Sequence, residues 1–314
     1  MPCLLFNMPE LPEVETIRRD LAASLVNRKI ISLNVLSPKS VSPSVALFCS
    51  ALVGRQIKTV ARRGKLLMFK LSLVSPKLKK SGQTIYDYLL IHLKMTGQLI
   101  YLDGTKKIAG GHSLSKTDTT GFQAAVGGEL PNKHTRVVFN FSGGRQLFFN
   151  DLRKFGYLKL VTEVERQGLL ARNYGPEPLT SEFSVSALAQ VLKNKTAKVK
   201  ALLLDQKLIA GLGNIYVDES LYAAGIDPRR PGDSLKPLEI KKLYLVINKI
   251  IRQAIKRRGT TFSDYVDSRG RSGNFSRLLK VYGRDGEKCV NCGSLILKIK
   301  VAGRGTHYCQ HCQK

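Results

Sequence analysis

Four of the six cysteines fall in two close pairs, Cys289-Val-Asn-Cys292 and Cys309-Gln-His-Cys312, with sixteen residues between the pairs. Two CxxC turns at this separation can present four thiolates tetrahedrally to one zinc ion. Two disulfides are the competing use of these cysteines, and a reducing cytosol disfavours them. A four-thiolate site is closed, so the expected metal holds the fold and performs no chemistry. His307 and His311 lie close by, but four sulfurs already complete the shell. A second stretch with chemical potential is GLGNIYVDE, Gly211 to Glu219. Its glycines permit a tight path into a helix expected from about Ile215, with Asn214 as a suitable N-cap. A helix N-terminus behind such a turn offers free N–H groups to an anion. An ordinary capped helix after a turn accounts for the same residues equally well.

The anion has an obvious candidate. Lys and Arg number 51 against 23 acidic residues, a formal net charge of +28. Solubility alone rarely needs so one-sided an excess, and nucleic acid is the partner it points to. An anionic membrane would call for a basic amphipathic helix or a lipid anchor, and the sequence offers no convincing case of either. No run of about 18 apolar residues appears, so no membrane span is expected. MPCLLF is too short for a secretory h-region, and Glu10, Glu13 and Glu15 follow at once, so a cytosolic protein is expected.

The elements that must position these residues change character along the chain. Residues 11–26 read as a helix with Val14, Ile17, Leu21 and Leu25 on one face. β-rich runs follow: KIISLNVL, RQIKTVA, LLMFKLSL, YDYLLIHL, TRVVFNF, RQLFFN and GYLKLV, with RGK and SGGR as hairpin turns. They predict an antiparallel β-sandwich over 8–162. Within it, 103–131 lacks periodicity and is rich in Gly, Ser and Thr, and it reads as a flexible surface insertion. Residues 163–180, with NYGPEPL, read as a linker. Beyond it the period becomes helical, at 183–194, 197–205, 215–224 and 236–257, with Gly259 as a C-cap for the last. A helical domain over 181–284 and a zinc finger over 285–314 complete an α+β multidomain chain.

MPELPEVET, RRGK, HLKMTGQL, DLRKFG, GPEPL, LLLDQKLIAGLGNIYVDESLYAAGIDP and the terminal finger occur together and in this order. The chain closely resembles the formamidopyrimidine-DNA glycosylases, bacterial base-excision-repair enzymes that remove oxidised purines and then cut the abasic strand. The resemblance runs from Met8 to Lys314, with 103–131 its least similar part. It implies a β-sandwich bearing the first helix, a helix-two-turn-helix domain and a zinc finger. It further implies one structural zinc on Cys289, Cys292, Cys309 and Cys312, no organic cofactor, and damaged double-stranded DNA as partner. A monomer in the bacterial cytosol, associated with the nucleoid through DNA, is expected.

In that family Met is removed and the next proline becomes the N-terminal nucleophile. The match places this proline at Pro9, although MPCLLFN stands in front of Met8. A free α-amine has a reference pKa of about 7.7–8.0, whereas an internal proline nitrogen is a tertiary amide and cannot attack. Residues 1–7 are therefore expected to be non-native or a mis-assigned start. Loss of Met1 would expose Pro2 instead, but Cys3 and Leu4 follow it, with no adjacent Glu.

By matched position, Glu10 is the expected proton donor for base loss and Glu13 a pocket carboxylate, which also suits the helix dipole. Lys65 is expected to assist β-elimination and Arg304 δ-elimination. Met95, Arg153 and Phe155 correspond to a trio filling the void left by an extruded base. His134, Arg153, Lys195 and Asn214 match DNA contacts, with His92 and Lys200 as further candidates. The segment 264–275 resembles a lesion-capping loop of the purine enzyme, which favours 8-oxoguanine and formamidopyrimidines opposite cytosine. Two other readings stand beside this one. They are an endonuclease VIII-like glycosylase for oxidised pyrimidines, and an inactive DNA-binding relative if Pro9 is not the mature N-terminus.

Overall fold

The computed structural model describes residues 8–73, 84–104, 106–113, 122–260 and 274–314. The extension 1–7 and positions 264–273 of the expected capping loop lie outside them. By internal contacts the chain divides into two units, 1–170 with 258–274 and 171–257 with 275–314.

The first unit opens with α1 (Leu11–Leu25). Its backbone leaves the extended conformation after Glu10, and Pro12 occupies the first turn, where a missing N–H costs nothing. Its apolar stripe, Leu11, Val14, Ile17, Leu21 and Leu25, is buried as the spacing predicts. There follow β1 (Ile30–Val35), β2 (Val41–Ser42), α2 (Val45–Leu52), β3 (Ile57–Arg63), β4 (Leu66–Leu71), β5 (Tyr88–His92), β6 (Gly97–Asp103), β7 (Lys106–Gly111), α3 (Phe122–Val126), β8 (Thr135–Phe141), β9 (Arg145–Asp151) and β10 (Tyr157–Val161). Among the described residues they form two five-stranded sheets, ordered β1-β8-β9-β6-β7 and β2-β10-β5-β4-β3. Pairing is antiparallel apart from the short β2–β10 pair, which is parallel. Leu67, Phe69 and Ile91 of one sheet share a core with Leu99, Val137 and Phe149 of the other, as in a sandwich.

The expectation of a structureless insertion over 103–131 needs correction. β7 pairs with β6 along its whole length, and α3 lies over the outer face of the same sheet, where Val126 packs with Ile100, Val138 and Phe148. Two of the glycines that suggested a loop, Gly110 and Gly111, have packing reasons. A Cβ on Gly110 would lie 2.4 Å from Cγ1 of Ile17, so this glycine lets α1 approach the strand. Residues 105 and 114–121 lie outside the described residues.

The predicted linker contains α4 (Glu163–Asn173). Thr162 and Glu165 form a reciprocal capping box, Glu165 N to Thr162 Oγ1 at 3.2 Å and Thr162 N to Glu165 Oε2 at 2.8 Å.

The second unit holds α5 (Val185–Leu192), α6 (Val199–Leu204), α7 (Asn214–Ala224), α8 (Pro237–Lys256) and the hairpin β11 (Leu297–Val301) with β12 (Arg304–Tyr308). α7 and α5 pack on α8, which buries Leu243, Ile247 and Ile251. α8 ends at Lys256, and its C-cap is Arg257, not Gly259. Arg258 (φ +65°) takes the left-handed position that follows, and Gly259 (φ +86°) continues it. None of the described helices is long and apolar enough to cross a membrane.

Candidate active site and zinc centre

Pro9 and Glu10 are buried at the head of α1. The Glu10 N–H donates to Glu13 Oε2 at 3.1 Å. Glu13 is 1% exposed, and its Oε1 accepts from Thr260 N at 2.8 Å and Thr260 Oγ1 at 3.2 Å. A buried carboxylate so supplied with donors is fixed in direction. Gly259 is what allows it. A Cβ there would fall 2.5 Å from Glu13 Oε1, in a backbone conformation that side chains rarely adopt. Gly259→Ala is expected to cost about 2–4 kcal/mol from overlap and backbone strain. Urea unfolding measures it, and an unchanged midpoint would show that Glu13 moves aside freely.

α1 is locked to the sheet by Glu15. Its carboxylate accepts from Arg18, Arg19 and Arg62 of β3 at 2.7–2.9 Å. Burial alone would raise its pKa, but the hydrogen bond from Arg18, the charge of Arg62 and the bond from Arg19 together bring it down to about 2. Arg62 stands one step before the β3–β4 turn, and Lys65 follows Gly64 (φ +55°) in that turn, only 4% exposed. The predicted RGK hairpin turn is thus present, and the Arg62–Glu15 pair ties its base to α1. His92, at the end of β5, pairs across from Leu66. Burial, then the charges of Lys94 and Lys65, lower its pKa to about 3, so the ring is neutral. Its Nδ1 accepts from Lys94 N at 3.0 Å, which leaves Nε2 to carry the proton.

Two turns bring the expected void-filling trio together. Met95 lies between β5 and β6, and Arg153 and Phe155 lie between β9 and β10. Arg153 Nη1 is 3.2 Å from Met95 Sδ, and its guanidinium carbon lies 4.9 Å from the Phe155 ring centroid. Phe155 is 55% exposed, so it is not a core residue. His134 lies in a third turn, where its N–H donates to Asn132 Oδ1 at 3.0 Å. Burial, then Lys133 and Arg136, lower its pKa.

In the second unit the two lysines of the 195–200 segment differ sharply. Lys195 is exposed in the turn between α5 and α6. Lys200 is fully buried, with Nζ 2.6 Å from Asp218 Oδ1 and 3.1 Å from the Gly305 carbonyl. Its expected role as a DNA contact is corrected accordingly: the ammonium is engaged inside the fold. Asn214 is the first residue of α7, whose N-cap is Gly213, and its Nδ2 donates to the same Gly305 carbonyl at 2.9 Å. Asp218 Oδ2 accepts from His307 N at 2.9 Å. Glu219 accepts from the backbone N–H groups of Lys280, Val281 and Tyr282. Lys200, Asn214 and Asp218 thereby tether the β11–β12 hairpin, and exposed Arg304 sits where it turns.

The sulfurs of Cys289, Cys292, Cys309 and Cys312 all lie within 4.8 Å of one another. Cys289–Cys312 and Cys292–Cys309 are 3.9 and 3.5 Å apart. Zn–S bonds of about 2.3 Å in tetrahedral geometry require roughly 3.8 Å between sulfurs, so these residues fit one zinc ion. Asn291 Nδ2 donates to Cys312 Sγ at 3.3 Å, and Cys309 N donates to Gln313 Oε1 at 2.9 Å.

Three family models match in order. Residues 8–158 match the formamidopyrimidine-DNA glycosylase N-terminal domain, and 174–266 its H2TH domain. Residues 286–314 match the zinc finger found in FPG and IleRS. The formamidopyrimidine-DNA glycosylase of Pelotomaculum thermopropionicum is 41% identical over 309 residues, covering 98% of this chain and 99% of its own. This chain belongs to the formamidopyrimidine-DNA glycosylase family. The Enterococcus faecalis member is 40% identical, with 98% of each chain covered. Among solved structures of the family, a point mutant of Lactococcus lactis FPG in complex with Fapy-dG-containing DNA aligns with a TM-score of 0.80 and 35% identity. That alignment covers 98% of this chain and 100% of the other. Lactococcus lactis Fpg with abasic-site DNA gives 0.80 and 35%, with 97% and 99% covered.

Pattern reading passed over Thr96, Asp151, Asp218 and Glu219. Asp151 alone left a signal: a carboxylate closing an apolar strand before a turn is a natural cap for turn N–H groups.

Proposed function

We propose that this chain is a base-excision-repair enzyme that removes oxidised purines from double-stranded DNA and nicks the resulting abasic site. The reading is carried by full-length family membership together with the buried Pro9–Glu10–Glu13 cluster at the head of α1. With Pro9 as a free amine, its nitrogen bonds to C1′ of the damaged nucleotide. The glycosidic electron pair leaves with the base, and Glu10 supplies the proton. The proline nitrogen loses its own proton, the C1′–O4′ bond opens with O4′ taking a proton from Glu10, and the iminium so formed acidifies C2′, so that loss of the C2′ proton expels the 3′ phosphate. A second elimination expels the 5′ phosphate. Lys65 assists the first elimination and Arg304 the second, each a cation beside a phosphate leaving group. Met95, Arg153 and Phe155 fill the gap left by the extruded nucleotide, and His92, His134, Lys195 and Asn214 contact the backbone. Glu13 holds the head of α1 and Gly259 in register. Zinc supplies no chemistry; its four thiolate ligands fix the hairpin that bears Arg304. The protein acts as a monomer in the cytosol.

The test is borohydride trapping on duplexes carrying 8-oxoguanine or a formamidopyrimidine opposite cytosine. A covalent adduct and β,δ-products are expected. Preference for oxidised pyrimidines would instead favour the endonuclease VIII-like reading, and tight binding without an adduct the inactive relative.

A further inference from the structure

The two turns that carry the void-filling trio share an unusual backbone. Lys94 (φ +54°) precedes Met95, and Lys154 (φ +59°) precedes Phe155. Each is a non-glycine residue in the left-handed region, a conformation that persists only where the surroundings enforce it. One buried carboxylate reaches both turns. Asp151, 1% exposed, accepts the Thr96 hydroxyl on Oδ1 and Gly156 N on Oδ2, the latter at 2.7 Å. Arg153 N, in the same turn as Phe155, is shared between Thr96 Oγ1 at 2.9 Å and Asp151 Oδ1 at 3.2 Å. The main chain of Asp151 extends the same knot. Its N–H donates to the His134 carbonyl at 2.9 Å, and its carbonyl accepts Arg136 Nε at 2.9 Å.

We infer that Thr96 and Asp151 are a positioning pair for lesion extrusion. They hold the Met95 turn and the Arg153–Phe155 turn in one fixed relation, so the trio enters the duplex as a unit. This rests on the proposed glycosylase reading and deepens it. Thr96 is the link, because its hydroxyl, on the Met95 turn, both donates to Asp151 and accepts from Arg153 N, which belong to the other turn. Without that hydroxyl the flanking strands still pair, Gly97 opposite Asp151 and His92 opposite Tyr157, but the two turns beyond them lose the buried side-chain bond that joins them and must be ordered against each other on binding. The cost falls on steps that need the void filled. It does not fall on chemistry at an abasic site that is already unstacked.

The experiment compares Thr96→Val, which keeps shape and removes the hydroxyl, with Thr96→Ser, which keeps the hydroxyl. Both are full-length chains beginning at Pro9. Two substrates are used: a duplex with 8-oxoguanine opposite cytosine, and a single strand with a preformed abasic site. A 2-aminopurine opposite an abasic analogue in a duplex reports insertion of the trio independently of cleavage. For Thr96→Val, duplex excision is expected to fall roughly 10- to 100-fold, the scale of loss that small misplacements produce. Single-strand cleavage should stay within about threefold, well short of that loss. The 2-aminopurine response should fall as well, and Thr96→Ser should recover both. Equal losses on the two substrates, or an unchanged duplex rate with an unchanged 2-aminopurine response, would overturn the assignment. If the parent chain inserts the trio but cleaves neither substrate, the glycosylase reading fails, and the 2-aminopurine signal alone decides whether Thr96 couples the turns.

Discussion

A chain whose first residue is Pro9 is expected to form a borohydride-trapped adduct with lesion DNA, and a chain that retains residues 1–8 to form none above background. The rate difference should be at least roughly 10³-fold, the scale on which removing a covalent nucleophile acts. The physical cause is one bond. In the longer chain the Pro9 nitrogen is a tertiary amide whose lone pair is delocalised into the Met8 carbonyl. In the shorter chain it is a secondary amine with a reference pKa of about 7.7–8.0, of which a useful fraction is neutral at physiological pH. Placement also favours Pro9: it is buried beside Glu10, whose N–H is fixed by Glu13, and the family match begins at residue 8. Intact mass and N-terminal sequencing of the purified protein, followed by trapping of both forms, make the comparison. Equal adduct yield from the chain retaining residues 1–8 would show that another amine is the nucleophile.

The head of α1 was legible because its pattern is local. Leu11, Val14, Ile17, Leu21 and Leu25 repeat at helical spacing, and Pro12 marks the first turn. β4, β8 and β9 were legible as dense apolar runs, each next to a glycine turn. β7 was not, because a Gly-rich strand has few side chains to show a period, and it is held by pairing with β6 and by Ile17 packed on Gly110. α4 escaped because it buries nothing, leaving only the Thr162–Glu165 box as a mark. For the site, motifs located the turns but not the groups that hold them. No local pattern separates Lys195 from Lys200, because the partner that buries Lys200 is Asp218, eighteen positions away. The same holds for Thr96, whose partner Asp151 lies on another strand. Long-range polar pairs are what a single sequence conceals, and in this chain they do the positioning.

Removal of zinc is expected to unfold the finger and to abolish δ-elimination while leaving the β-sandwich folded. The apolar cluster under the finger is small, Val281, Cys289, Ile296 and Cys309, of which Val281 precedes the finger and two are metal ligands. So small a core does not sustain a fold alone. Structural zinc sites of this kind contribute about 10–16 kcal/mol, which makes folding of the finger and metal binding one equilibrium. The consequences reach α7, which anchors the hairpin through Asp218 to His307 N and through Lys200 and Asn214 to the Gly305 carbonyl. With the hairpin gone, Asp218 keeps Lys200 but loses its second donor, and the Gly305 partners of Lys200 and Asn214 disappear. Unfilled buried polar groups cost about 1–3 kcal/mol each, so the helical unit should lose stability as well. A chelator strong enough to strip thiolate-bound zinc, with release followed by a metallochromic dye, sets up the measurement. Calorimetry should then show the helical unit melting earlier and the sandwich transition in place. On a preformed abasic strand, products should shift from β,δ to β alone, because Arg304 is carried by the lost hairpin and Lys65 is not. A metal-free protein that still yields β,δ-products, with both transitions unmoved, would remove zinc from the account of how Arg304 is held.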